Sequence, residues 1–387
     1  MVRRLARLVA LLAGCSSLLA AGCSSPLFPV GQGHTGFLSD RAFEIEATVE
    51  GEAPLRDLGP WSSDPTRSPR EQLAMEALRG LSRRLALDGT PLFLERSHID
   101  LETRPVDGNR LYFQARIDGV IRDSEAPAGR DAYRDRPGLR FRWPAPAAHA
   151  LRPRYEELTR AGVLRVGVVF GQMRPGSEEG EEENGGVEDE ALWSRRAFEG
   201  WLRAVGFRED TDPARAGQRL WSRPGVITAQ VEVRGPEEFP IEGRNEEGNG
   251  ELRALIQRSA VVYVNGHTRL PVFGALQEAA SYLPRRPRVL VLDTCWSYHD
   301  ATRGVLDATD EAQVVSTDGR VVTGSVDSFR ALLEGLLAGV EAPGGGASWV
   351  ELLGVMNDLA EERSRERAGL VGERLEPPEV YGVSPGW

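Results

Sequence analysis

The sequence predicts an α/β protein whose main sheet is mostly parallel, preceded by a small α+β unit. From Arg154 onward, near-continuous apolar runs alternate with amphipathic helical stretches, the pattern of parallel strands buried on both faces and joined by crossover helices. Before that point, apolar and polar residues alternate one by one, as they do in strands with one solvated face. A chain of 387 residues with 41% hydrophobic content is long enough to bury two such cores.

The net charge of −11 argues against a nucleic-acid role, because phosphate binding needs a basic face and here carboxylates outnumber cations. The first segment reads as a secretory signal: Met1 to Arg7 carries three arginines and Leu8 to Ala21 is mostly apolar. It closes on Leu19-Ala20-Ala21-Gly22-Cys23, which resembles the lipobox of bacterial lipoproteins; Leu12-Ala13-Gly14-Cys15 matches the box better by letter but would leave an apolar core too short for export, and a secretory signal without lipidation is the plainer alternative. That resemblance implies cleavage of residues 1–22, lipidation of Cys23 and attachment to the cell envelope, with Ser24 pointing to the outer membrane of a diderm bacterium. Residues 23–41, rich in Ser, Pro and Gly at their start, then read as a tether. Loss of Cys15 with the signal and use of Cys23 for lipid leave Cys295 with no disulfide partner in the chain.

Residues 42–150 form the α+β unit. Ala42 to Val49 places Phe43, Ile45, Ala47 and Val49 on one side of a strand. Arg70 to Leu87 repeats apolar residues at helical spacing, and Pro91 to Thr103 and Arg110 to Arg122 read as strands flanking the turn-rich Pro105 to Asn109. The run Arg134 to Pro146, rich in proline and arginine, closes the unit. His34, His98 and His149 stand singly, without metal-ligand spacing, so no chemistry is assigned here.

Residues 151–342 form the main unit. Val163 to Phe170 is a buried strand, Glu178 to Glu190 a carboxylate-rich loop, and Ala191 to Val205 an amphipathic helix with Gly206 as its C-cap. Val226 to Val233 is the next strand, Gly235 to Gly250 a Gly- and Glu-rich loop, and Glu251 to Ser259 a helix. Two further strands follow, Ala260 to Val264 and Val289 to Leu292, separated by a helix over Pro271 to Leu283. Gln313 to Ser316 is a strand and Asp327 to Val340 a helix. Residues 343–387 hold a last helix from Ser348 to about Arg363 and a proline-bearing extended tail.

The chemistry concentrates where two apolar runs end, one in Asn265-Gly266-His267-Thr268 and the other in Asp293-Thr294-Cys295-Trp296. Neighbouring parallel strands would deliver an imidazole and a thiol to one place, as a nucleophile and its base require. The ordering of these elements resembles that of the caspase-like cysteine peptidases: an apolar strand ending in Gly266-His267, a later one ending in Asp293-Thr294-Cys295, and upstream the strand Val163 to Phe170 with a helix ending in Gly206-Phe207. The resemblance implies a three-layer sandwich, Cys295 as nucleophile and His267 as acid/base. It also implies backbone N–H groups beside Gly266 and Thr268 at the oxyanion, Asp293 lining a pocket for arginine or lysine, a peptide or protein substrate, and no cofactor. The chain departs from the family in having Thr268 where a glycine is usual, and in a His267 to Cys295 separation shorter than the caspase spacing of about 50. A non-catalytic binding scaffold of the same fold therefore stays open. Metal binding through Cys295, His299, Asp300 and His267 is the weaker chemical alternative, since no second cysteine supports it.

Overall fold

The computed structural model describes residues 37–54, 97–107, 110–125, 139–142, 151–171, 190–210, 219–238, 246–266, 288–295, 297, 312–318, 326–342, 345–371 and 380–385. The signal, the helices expected over 70–87 and 271–283, and nearly all of the carboxylate-rich loop lie outside this set. So do His267, Thr268, His299 and Asp300.

Strands β1 (Ala42–Pro54), β2 (Ser97–Asp107), β3 (Arg110–Arg122) and β4 (Leu139–Arg142) make an antiparallel sheet in the order β2-β3-β1-β4. The period of two holds in β1, where Ala47 and Val49 are buried and Thr48 and Glu50 exposed. Strand β4 falls inside the proline- and arginine-rich run, where Leu139, Arg140, Phe141 and Arg142 alternate apolar and charged.

The second sheet has eight strands. They are β5 (Val163–Phe170), β6 (Arg208–Glu209), β7 (Arg219–Arg223), β8 (Thr228–Arg234), β9 (Val261–Gly266), β10 (Arg288–Thr294), β11 (Ala312–Thr317) and β12 (Tyr381–Pro385), in the order β12-β11-β10-β9-β5-β8-β7-β6. The five central strands, β11 to β8, run parallel, and β12, β7 and β6 pair antiparallel at the two sides. Every residue of β9, β10 and β11 is buried, and the apolar stretches Val261–Val264 and Val289–Leu292 inside β9 and β10 are the runs visible in the sequence.

Helices α1 (Tyr155–Leu158), α2 (Glu190–Ala204), α3 (Glu246–Arg258), α4 (Asp327–Glu341) and α5 (Trp349–Val371) cover this sheet. Phe198 and Leu202 of α2, Phe329 and Leu336 of α4, and Leu353 of α5 share one core with Val168, Tyr263 and Val291 of the strands. The opposite face receives α3, whose Leu255 comes so close to β5 that a Cβ on Gly167 would lie 2.7 Å from its Cγ. Helix α2 ends as its sequence predicts. Gly206 takes φ 91°, Phe207 N donates to Leu202 O at 2.9 Å and Gly206 N to Arg203 O at 3.2 Å, a Schellman closure that tucks Phe207 into the core.

Several elements differ from the sequence reading: β1 runs on to Pro54, β2 spans Ser97–Asp107, and α5 continues to Val371 rather than ending near Arg363. Helix α3 begins at Glu246, earlier than Glu251, so Gly248 and Gly250, which mark a loop by composition, lie inside the helix. The β6–β7 hairpin has no apolar alternation: only Trp221 of β7 is buried, with the Arg203 guanidinium 4.8 Å from its ring centroid. The extended tail is a strand of the main sheet, so residues 381–385 complete that sheet rather than trail from it.

The two sheets are tied together. Leu38 forms a single antiparallel bridge to Val383 of β12, with Leu38 N donating to Val383 O at 2.9 Å and the reverse bond also 2.9 Å. Arg41 pairs with Asp358 and Glu361 on α5. Arg122, at the end of β3, makes a two-pronged ion pair with Asp318 just past β11: Nε to Oδ2 at 2.9 Å and Nη2 to Oδ1 at 3.0 Å. Val380 N donates to the same Oδ1 at 2.9 Å.

Candidate active site

Strands β9 and β10 are direct parallel neighbours, with Asn265 opposite Asp293 and Gly266 opposite Thr294. The next residues in the chain are His267 and Cys295. Two paired strands therefore end level with one another, from points about 5 Å apart, the spacing of hydrogen-bonded strands. Cys295 begins the turn after β10, is partly buried and forms no disulfide. Gly266 is the buried last residue of β9.

The end of β10 is held on both sides of Cys295. Upstream, Asp293 is 1% exposed and its carboxylate points into the core. Tyr263 Oη donates to Oδ2 at 2.6 Å, Tyr381 Oη to Oδ1 at 2.7 Å, and Asn265 Nδ2 to Oδ2 and to the Asp293 carbonyl, both at 3.3 Å. Burial raises the Asp293 carboxyl pKa above its usual range, opposed by the Tyr263 and Tyr381 hydrogen bonds, the Arg363 charge and the Asn265 amide. Burial also pushes the Tyr263 hydroxyl well up, and the adjacent Asp293 adds to this, so Tyr263 stays a donor. Its ring stacks on Phe329 of α4 with centroids 3.9 Å apart and meets Phe170 edge-on at 6.0 Å, which fixes the direction of the hydroxyl.

Downstream, Ser297 Oγ donates to Leu292 O at 2.6 Å and accepts from Thr317 N at 2.8 Å. Thr317 Oγ1 donates to Thr294 O at 2.6 Å. The turn that carries Cys295 is thus stitched to the carboxyl end of β11.

Placement of the expected residues follows from this. Asp293 and Cys295 lie at the end of β10 and Gly266 beside them, while His267 and Thr268 are outside the described residues. A pocket wall for a basic substrate residue is not what surrounds Asp293: both of its oxygens are engaged inside the core, so a substrate side chain does not reach them in this arrangement. Tyr263, Tyr381, Ser297 and Thr317 were not singled out from sequence. Tyr263 sits in an apolar run where a hydroxyl needs a buried partner, and that was a usable signal. Tyr381 follows prolines and carries no local sign of its partner, 88 residues away in sequence.

Among the described residues no group of three His, Cys, Asp or Glu side chains is placed to hold a metal ion. No helix among them is long and apolar enough to cross a membrane. No protein-family model matches the chain, and no curated protein or solved structure matches it either.

Proposed function

We propose that the protein is a cysteine endopeptidase of the caspase-like type, acting on peptide or protein substrates through Cys295 and His267. The observation that supports it is the pairing of Gly266 with Thr294, which makes the next residue on each of two adjacent parallel strands a histidine and a cysteine. In this reading the Cys295 thiolate attacks the scissile carbonyl carbon. Backbone N–H groups at Cys295 and beside His267, around Gly266 and Thr268, receive the oxyanion, each such donor being worth about 3 kcal/mol. The protonated imidazole gives its proton to the departing amine, leaving a thioester, which water attacks with His267 now taking the proton. No cofactor enters these steps. With both oxygens of its carboxylate held by Tyr263, Asn265 and Tyr381, Asp293 supplies no preference for arginine or lysine.

The test is labelling of the full chain with peptidyl electrophiles that differ in the residue next to the reactive carbon. Labelling at Cys295 that is lost in Cys295→Ala and in His267→Ala supports the dyad. A folded wild type that takes up none of the probes refutes it and leaves a binding scaffold.

We further infer, from the lipobox resemblance at Leu19 to Cys23 followed by Ser24, that the protein sits at the cell envelope of a bacterium, on the outer membrane, held by lipid on Cys23. Labelled palmitate should enter the wild type and not Cys23→Ala. Incorporation that survives in Cys23→Ala and is lost in Cys15→Ala would move the anchor.

A further inference from the structure

We propose that Asp293 is a positioning residue for Cys295, gripped between Tyr263 and Tyr381 so that strand β12 helps to fix where the thiol leaves the sheet. This rests on the reading of Cys295 as the nucleophile. A buried carboxylate is a poor choice for stability alone, since an apolar side chain of similar size would fill the space without the cost of desolvating a charge. Here three donors from two other strands converge on it: Tyr263 and Asn265 of β9 and Tyr381 of β12. Asp293 is two residues before Cys295 and its backbone carbonyl also accepts from Asn265 Nδ2 at 3.3 Å, so the last turn of the β10 backbone is located from both its side chain and its main chain.

The grip is itself braced. Tyr381 N donates to Asn357 Oδ1 of α5 at 2.6 Å, and Tyr381 O accepts from Asn357 Nδ2 at 3.2 Å and from Ser39 Oγ at 2.8 Å. Among the described residues, the titratable and charged groups that face the Asp293 carboxylate are Tyr263 from β9, Tyr381 from β12 and Arg363 from α5. With Ser297 and Thr317 holding the other side of the turn, a loosened Asp293 frees Cys295 on one side only. Displacement of a nucleophile by a fraction of an ångström lowers the rate of the chemical step without weakening substrate binding.

The experiment compares Tyr381→Phe with Tyr155→Phe in the full chain. Each removes one tyrosine hydroxyl bond, but the Tyr155 Oη bond, part-buried and 2.8 Å to Ala347 O, lies at the amino ends of the strands, beside Arg152 and Gln313. Two readouts are taken: kcat and KM on a peptide substrate, and the pH profile of iodoacetamide alkylation at Cys295, followed on the peptide that contains it. Tyr381→Phe should lower kcat about tenfold with KM unchanged and should shift the alkylation profile, while Tyr155→Phe leaves both as in wild type. Identical behaviour of the two variants in both readouts overturns the proposal. If the wild type cleaves no peptide, the alkylation profile decides: a shift confined to Tyr381→Phe upholds the positioning of Cys295 while the peptidase reading falls, and no shift ends both.

Discussion

Replacing Arg122 by methionine strips a guanidinium from a buried carboxylate. The Arg122 and Asp318 side chains are 5% and 0% exposed. The variant keeps the length of the side chain and takes the guanidinium from the Asp318 carboxylate, whose Oδ1 still accepts from Val380 N–H. Removing one member of a buried pair costs about 3–5 kcal/mol, because the surviving charge stays desolvated. Adding Asp318→Asn removes that charge while keeping an oxygen for Val380 N–H. The residual cost is then about 1–3 kcal/mol, that of an amide N–H group without its partner. The second substitution should therefore restore stability to the first. Urea denaturation of wild type, both single variants and the double variant gives the midpoints and the coupling energy. A double variant less stable than Arg122→Met, or a loss below about 1 kcal/mol in Arg122→Met, would refute the claim that this pair joins the two sheets through a desolvated contact.

Three other outcomes are expected. Gly167→Ala places a methyl 2.7 Å from Leu255 Cγ and 2.9 Å from Ser259 Oγ; overpacking of about 1–3 kcal/mol should lower the thermal midpoint, and Leu255→Ala in the same chain should recover part of it. The Asp293 carboxyl pKa is raised in the folded state, so stability is highest below the ordinary aspartate value of 3.8 and is lost as pH rises from there through the folded pKa; Asp293→Asn should flatten that decline in denaturation measured across pH. Glu351 has the opposite sign. It accepts from Ser348 N at 2.6 Å and Ser348 Oγ at 2.8 Å in the capping box of α5, which lowers its pKa, so its contribution is present above the ordinary value of 4.5 and is lost as pH falls through the folded one; Glu351→Gln should remove that acid-side loss.

The central sheet was legible because burial on both faces leaves little choice of residue: Val163 to Phe170, Ala260 to Val264, Val289 to Leu292 and Gln313 to Ser316 all appear as strands, within a residue or two of their predicted ends. The C-cap at Gly206 was legible for a similar reason, since a left-handed residue after an amphipathic helix has a narrow set of identities. What was hidden depends on contacts distant in sequence. Nothing near Tyr381 shows that its hydroxyl meets Asp293, and nothing near Thr317 shows that it holds the Thr294 carbonyl. The role expected of Asp293 failed to match its surroundings because spacing from Cys295 gives only its position along β10. The direction of its side chain is set by strand alternation, which sends Asp293 to the same face as Val289 and Val291, toward the helical core.

The bridge from Leu38 to Val383 looks like a small feature of the connection between the sheets, yet it also covers the outer rim of the larger one. An antiparallel rim strand offers unsatisfied main-chain donors and acceptors to any other extended chain, including a second copy of the protein. Leu38 occupies Val383 in both directions, Ser39 caps the carbonyl of Tyr381, and Phe37 lies so close over Gly382 that a Cβ there would be 2.4 Å from its ring. A chain shortened past Ser39 keeps all eight strands of the sheet and loses this cover. Such a truncation is expected to fold and then to self-associate, strand against strand, in a way that the full chain resists.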